Sequence, residues 1–333
     1  MLLSLFVFSL ANTLSAFEIS ELSKKIAILK NNEVWILDQG GREAKQITKT
    51  DGKVEEFHFS PDLSYLAYTK VINYVEEPGV LSNGEDIPKI PVFSIVVMDV
   101  KTRKIVRELM PPESEWIHPI KWLPKEKLLF YSSDGVGVHG YFEFDVSRNV
   151  EVFRDPGEYH LVEADYTRDG TLMVYVQNSA LHVVDMSSGV GKTVSLSRKD
   201  KLLTRISHDK RKIAWIEVKM NYDMPSINSL ISYDLKTGRA QVLYEGPSPG
   251  LIGAELSWSH DDRAIGIFYR GKAVVTELRE PNKIHEINGT DFTWLPNRRI
   301  LYSKGSDIFK YSLDTGRSDL FIKNSSHAAY LWK

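Results

Sequence analysis

Cysteine is absent from the 333 residues. That absence excludes a disulfide scaffold, a thiolate zinc or iron–sulfur site and a cysteine nucleophile. An excess of charge of either sign is also missing, since 42 Lys+Arg stand against 44 Asp+Glu for a net charge of −2. Such a balance excludes an electrostatic nucleic-acid binder and a highly charged disordered chain. Apolar runs are few. The stretch from Leu2 to Leu10 lies within MLLSLFVFSLANTLSA and is shorter than the roughly 20 residues a bilayer span needs. Small Ser15 and Ala16 behind it suit a signal-peptidase site. The expectation is a signal peptide over residues 1–16 and a single domain over 17–333, with no transmembrane segment after signal removal. The corresponding destination is the periplasm or the extracellular space.

Catalytic spacings are lacking as well. No G-x-S-x-G, H-E-x-x-H or calcium-loop pattern occurs, so the common hydrolase and metal signatures are absent. Gly135-Val136-Gly137-Val138-His139-Gly140 satisfies G-x-G-x-x-G, but a strand-like Tyr141-Phe142-Glu143-Phe144 follows it. A dinucleotide site needs a helix there, so a Gly-rich hairpin loop is expected. Gly191-Lys192-Thr193 lacks the glycine of a phosphate loop, with Met186 in its place, and is expected to be a turn. No cofactor and no resident metal are expected.

What the chain does have is a beat. Apolar strands ending in aspartate recur at Trp35–Asp38, Val96–Asp99, Phe142–Asp145, His182–Asp185, Ile231–Asp234 and Tyr311–Asp314, with a degenerate copy at Ala273–Leu278. Asp ends a strand because its carboxylate bonds the backbone N–H groups of the turn. A second element precedes each but the first: Phe57-His58-Phe59-Ser60-Pro61-Asp62 with Leu66-Ala67-Tyr68, and kindred segments at Trp122–Lys125, Tyr166–Asp169, Ile206–Asp209, Trp258–Asp261 and Trp294–Asn297. Their fourth residues, at 62, 125, 169, 209, 261 and 297, are spaced by 63, 44, 40, 52 and 36. A period of about 40 is what one four-stranded propeller blade needs.

The aromatic-Ser-Pro-Asp then apolar-Ala-Tyr pattern resembles the WD-repeat-like β-propeller repeat of the TolB type, also found in the non-catalytic domains of prolyl-oligopeptidase relatives. The resemblance runs from near Phe17 to the end of the chain. It implies an all-β propeller alone, without TolB's N-terminal α/β domain and without a peptidase domain. Lys25-Ile26-Ala27-Ile28-Leu29 matches the second strand of the repeat, so the first blade lacks its inner strand. His327-Ala328-Ala329-Tyr330-Leu331-Trp332-Lys333 matches that inner strand. The count predicts a seven-bladed β-propeller closed by the C-terminal strand pairing into the N-terminal blade, with six blades as the alternative.

In a propeller the interblade crossovers and the loops from second to third strand share one face, and loops of this kind often carry binding function. Two insertions fall there, residues 73–91 in blade 2 and 219–229 in blade 5, about 154° apart in a sevenfold ring. Tyr74, Glu76, Glu77, Glu85 and Asp86 on the first and Tyr222 and Asp223 on the second are candidate partner-binding residues. The first loop, acidic and rich in Pro and Gly, is expected to be a semi-ordered flap. Three residues before the repeat aromatic stand Glu56, Glu163, Glu255 and Asp291; one before it stand His58, Lys121, Asp165 and Arg205; His118, His160 and His327 lie just upstream. Together these form a candidate channel-mouth ligand site. The expectation is a secreted or periplasmic, non-enzymatic module of the cell envelope that binds a protein partner. The alternative is a channel-mouth enzyme, a metal-assisted lyase or hydrolase acting on a sugar polymer or peptide.

Overall fold

The computed structural model describes residues 19–42, 44–76, 89–111, 116–133, 138–154, 164–194, 199–219, 227–247, 254–269, 271–281 and 283–331. They form seven four-stranded antiparallel sheets set around a central channel, a seven-bladed propeller. Blade 1 holds Lys25–Lys30, Glu33–Leu37 and Lys45–Gln46. Blade 2 runs outward through Val54–Phe59, Tyr65–Glu76, Lys89–Asp99 and Ile105–Leu109. Blade 3 follows with Trp116–Leu123, Lys127–Ser133, Val138–Asp145 and Val150–Arg154. Blade 4 is the slightest, made of Asp165–Tyr166, Leu172–Gln177, Ala180–Asp185 and Gly191–Thr193. Blade 5 comprises Asp200–Ile206, Lys212–Lys219, Ile227–Asp234 and Ala240–Pro247. Blade 6 comprises Glu255–Trp258, Ala264–Tyr269, Lys272–Glu277 and Ile284–Asn288. Blade 7 comprises Thr290–Leu295, Arg299–Lys304, Asp307–Ser312 and Arg317–Ile322.

The C-terminal strand Ser326–Leu331 is the inner strand of blade 1. It pairs antiparallel with Lys25–Lys30 in the register Lys25↔Leu331, Ile26↔Tyr330, Ala27↔Ala329 and Ile28↔Ala328. This is the closure that the repeat count predicts. It removes the open edge that an unclosed ring would carry. Trp332, the expected aromatic of that strand, lies outside the described residues.

Blade stacking dictates the sequence pattern. Middle strands are covered on both faces, so Ala264–Tyr269 is buried at all six positions and reads as an unbroken apolar run. Outer strands meet solvent, and Arg317–Ile322 is exposed over its first four residues. Cores lie between neighbouring blades. Ile26, Ile28 and Leu37 of blade 1 pack with Leu295, Leu301 and Ile308 of blade 7, and Leu66, Val96 and Met98 of blade 2 pack with Val34 and Ile36 of blade 1.

The repeat residues act as their chemistry suggests. Ser60 Oγ donates to Asp62 at 2.6 Å and accepts the N–H of Tyr65 at 2.9 Å. Ser207 accepts Lys212 N–H and Ser259 accepts Ala264 N–H in the same way, and Thr167 accepts Leu172 N–H. One hydroxyl five residues ahead thus starts the second strand in blades 2, 4, 5 and 6. At the third strand's end, Asp185 Oδ1 accepts the N–H groups of Ser187 and Ser188, and with the Ser187 hydroxyl these hold its carboxyl down at about 2. Gly191-Lys192-Thr193 corrects one expectation: it is the short outer strand of blade 4, paired with His182–Val184, and the turn lies just before it. An outer strand needs only one covered edge, so three fully exposed residues suffice. Gly140 lies inside a strand, where a Cβ would meet the Phe153 ring at 2.5 Å.

Candidate functional site

The channel is a cavity of about 1490 Å³ lined from five blades and from the closing strand. Glu56 and His58 of blade 2, Lys121 of blade 3, Asp165 of blade 4, Arg205 of blade 5 and Glu255 of blade 6 come together on its wall. Side chains 40 to 60 residues apart in sequence meet there because each blade offers the same strand edge to the axis.

Most of these positions also stitch the ring. His58 C=O accepts the indole N–H of Trp122 at 3.0 Å. The Lys121 ammonium donates to Ala164 C=O and lies over the Tyr166 ring. Asp165 Oδ2 accepts Ile206 N–H at 2.7 Å. Arg205 C=O accepts the Trp258 indole and Ser257 C=O the Trp294 indole. Thr293 Oγ1 accepts the backbone N–H of Tyr330 at 3.4 Å. Six seams are crossed this way. The seam from blade 1 to blade 2 has a buried knot instead: Glu33 accepts Thr48 Oγ1 at 2.5 Å, Thr50 N–H at 2.5 Å, Thr50 Oγ1 at 3.0 Å and Gly52 N–H at 3.0 Å. Burial pushes this carboxyl up, but the four donors hold it below its ordinary value.

The charges left to the cavity are of mixed sign. Glu56 Oε1 lies 2.7 Å from His58 Nε2. Burial among the channel walls pushes the Glu255 carboxyl up, against the pull of Arg205 and His58. The Glu255 side chain still meets channel water, which keeps that push smaller than a dry carboxyl would feel. Burial and the nearby Glu56 raise the Tyr131 hydroxyl. Asp291 and His327 stand 3.2 Å apart, beyond the cavity lining, and tie the blade 7 inner strand to the closing strand. The His118 side chain, His160 and Glu163 lie outside the described residues. Among the described residues no group of three or more His, Asp or Glu side chains is arranged to hold a metal ion.

At the opposite mouth the structure adds a pair that sequence reasoning missed. Asp262 is buried and accepts the backbone N–H groups of His208 and Asp209 and lies 2.8 Å from His208 Nδ1. The His208 ring lies tilted against His260 at 5.8 Å between centroids, and His260 against Tyr330 at 5.0 Å. The only trace in the sequence is the extra aspartate of His260-Asp261-Asp262, placed where other copies carry Leu63, Gly170 or Lys210.

The first insertion is built as a ribbon at its base. Pairing between Tyr65–Glu76 and Lys89–Asp99 continues through Tyr74↔Pro91 and Val75↔Ile90 to Glu76↔Lys89. The inner strand of the blade ends its ladder at Val54↔Lys70. Five residues, 72–76, therefore run beyond the inner strand on the crossover face, about 16 Å at roughly 3.3 Å per residue. Tyr74 on this ribbon is 58% exposed. The Glu76 side chain, Glu77, Glu85 and Asp86 lie outside the described residues. In blade 5 the pairing ends at Lys219↔Ile227, and Tyr222 and Asp223 also lie outside.

These features define the class of protein: a seven-bladed β-propeller with charges of both signs on its channel wall and a two-stranded ribbon that extends blade 2 on the crossover face. No protein-family model and no curated protein sequence matches the chain. Solved structures align with the chain at low identity. TolB from Acinetobacter baumannii aligns at 15% identity over 94% of this chain and 67% of that one, with a TM-score of 0.47. The nidogen/laminin complex aligns at 9% identity over 92% and 98%, with a TM-score of 0.43. Kuenenia stuttgartiensis hydrazine synthase aligns at 12% identity over 88% and 90%, with a TM-score of 0.44. Likenesses so distant concern the fold and carry no argument about activity. No helix among the described residues is long and apolar enough to cross a membrane.

Proposed function

We propose that this protein is a secreted or periplasmic, non-enzymatic propeller that serves as a protein-binding or scaffold module of the cell envelope. The observation that carries the reading is the blade 2 ribbon, two strands that outrun the ring and present an exposed tyrosine. A surface aromatic held on a two-strand stem is a contact device, since Tyr supplies large amphipathic area at little entropic cost. Stitching of the inner ring supports the same reading, because it commits the Lys121 and Asp165 side chains to holding blades together. The apolar leader of residues 1–16 supports export.

The test replaces Tyr74 with a photo-crosslinking phenylalanine derivative in the organism that makes the protein. One discrete covalent adduct is expected at this position and none at Thr193 on the outer strand of blade 4. A chain in which residues 72–92 are replaced by Asn-Gly, joining the paired Val71 and Phe93, loses the partner in co-purification. Absence of any adduct across the ribbon sinks the proposal.

A second reading, a channel-mouth lyase or hydrolase, is favoured by Glu255 alone. A carboxyl raised by burial inside a cavity suits general acid–base work. It requires turnover of a sugar polymer or peptide that vanishes in Glu255→Gln.

A further inference from the structure

Resting on the protein-binding reading, we infer that the ribbon receives its partner by strand addition: an extended, lysine- or arginine-bearing segment pairs with the channel-side edge of residues 72–75 and directs basic side chains into the channel mouth.

The backbone accounts for the edge. In blade 2 the strand Val54–Phe59 lies on the channel side of Tyr65–Glu76, and Ile105–Leu109 lies outside Lys89–Asp99. The last backbone bond on the channel side is Val71 N–H to Lys53 C=O at 2.9 Å. Beyond it, no strand among the described residues pairs with 72–75 on that side. On the outer side the ladder stops at Ile95↔Leu109. A two-stranded ribbon has marginal stability in water and gains from a third strand.

The two edges are not equivalent. The outer one carries Lys89 and Pro91; proline has no N–H to offer, and lysine and proline are the usual guards against strand addition. The channel-side edge reads Ile72-Asn73-Tyr74-Val75, free of proline and dominated by β-branched and aromatic residues. One edge is blocked and the other is open. The open edge continues the line of the inner strand, so a strand added there overlies the crossover mouth of the channel.

Charge selects the occupant. Glu56 lies in the part of that inner strand nearest the ribbon, and both Glu56 and Glu255 line the cavity. Asp291 and exposed Glu55 add negative charge on the same face. Lys121 and Arg205 are the strongly basic counterweights on the same wall, with the Lys121 ammonium donating to Ala164 C=O. Side chains of an added strand alternate between its two faces, so lysines or arginines at every second position meet the Glu55, Glu56 and Glu255 carboxylates.

The test uses the mature protein and three synthetic octapeptides of alternating pattern. The first is Val-Lys-Thr-Lys-Val-Lys-Thr-Lys, the second has Glu for each Lys, and the third is the lysine peptide N-methylated at alternate residues. Amide hydrogen exchange at residues 72–75 is followed at about 1 mM peptide. Strand addition predicts at least a roughly tenfold slowing with the first peptide and none with the other two. In the double variant Glu56→Gln/Glu255→Gln the lysine peptide binds about five- to tenfold more weakly, while a peptide-free melt stays the same. Equal protection by the N-methylated peptide overturns the edge, and equal protection by the glutamate peptide overturns the basic occupant. Protection that appears without peptide as protein concentration rises assigns the edge to a second copy and overturns the proposal. If no peptide protects 72–75 yet the Tyr74 adduct still forms, the inference fails while the protein-binding reading stands.

Discussion

Trp122, Trp258 and Trp294 each send an indole N–H to a carbonyl of the preceding blade. The repeat aromatic therefore does two jobs, filling the interblade core and capping a buried acceptor. Trp122→Phe keeps the first and removes the second. A loss of about 1–2 kcal/mol is expected in urea unfolding, and an unchanged midpoint would contradict the latch. Glu33 is the equivalent at the remaining seam. Its native carboxyl titrates below its unfolded value near 4.5. Its contribution is therefore full above that value and is lost as pH falls through the native one. Glu33→Ala should cost roughly 3 kcal/mol at pH 7. The gap between variant and parent should shrink in melts near pH 3, and a gap independent of pH would count against the assignment. At this scale legibility follows distance along the chain. The Ser-x-Asp turn is readable because its partners lie two and five residues away. The donors to Glu33 lie 15 to 19 residues on, and Asp262 is 54 residues from His208, so only the folded crossover or the assembled ring brings them together.

Strands that outrun their blade are where the elements depart from the repeat. The insertion at 73–91 is legible as a departure from the period near 40. Its form is less so, because Val-Glu-Glu-Pro-Gly and the prolines at 88 and 91 suggest a flap, whereas Ile72–Val75 facing Ile90–Val92 has β propensity enough to extend the ladder. The ribbon leaves the interblade cores untouched. Replacing it with Asn-Gly should leave the melting temperature within about 3 °C of the parent, by calorimetry. A fall of ten degrees or more would mean that the ribbon is part of the fold rather than a device mounted on it. The outer strand Gly191–Thr193 shows the opposite limit: a short, exposed strand with one paired edge leaves almost no pattern to read.

A ring has no ends, and the whole molecule depends on how a linear chain hides its own. The number of blades and the exchange of the inner strand of blade 1 are readable because six complete inner elements precede seven third strands. Glu56, His58, Lys121, Arg205 and Glu255 are readable in the same way, as fixed offsets from the repeat aromatic, whereas Asp291, read by the same offset, stands beyond the lining. Which of them bind a ligand and which bind a neighbouring blade is decided by interblade geometry that no single repeat contains. Cysteine is absent from the chain, so a disulfide placed across the seam reports on closure without background. Ala27 and Ala329 face each other in the register, at the roughly 4.5–5.5 Å Cα separation of antiparallel partners, within reach of a disulfide. Under mild oxidation Ala27→Cys/Ala329→Cys should form an intramolecular bond linking the N- and C-terminal peptides after proteolysis, whereas Ala27→Cys/Ala214→Cys, reaching to blade 5, should not. A 27/329 pair that stays reduced in the folded monomer would contradict the closed seven-bladed ring.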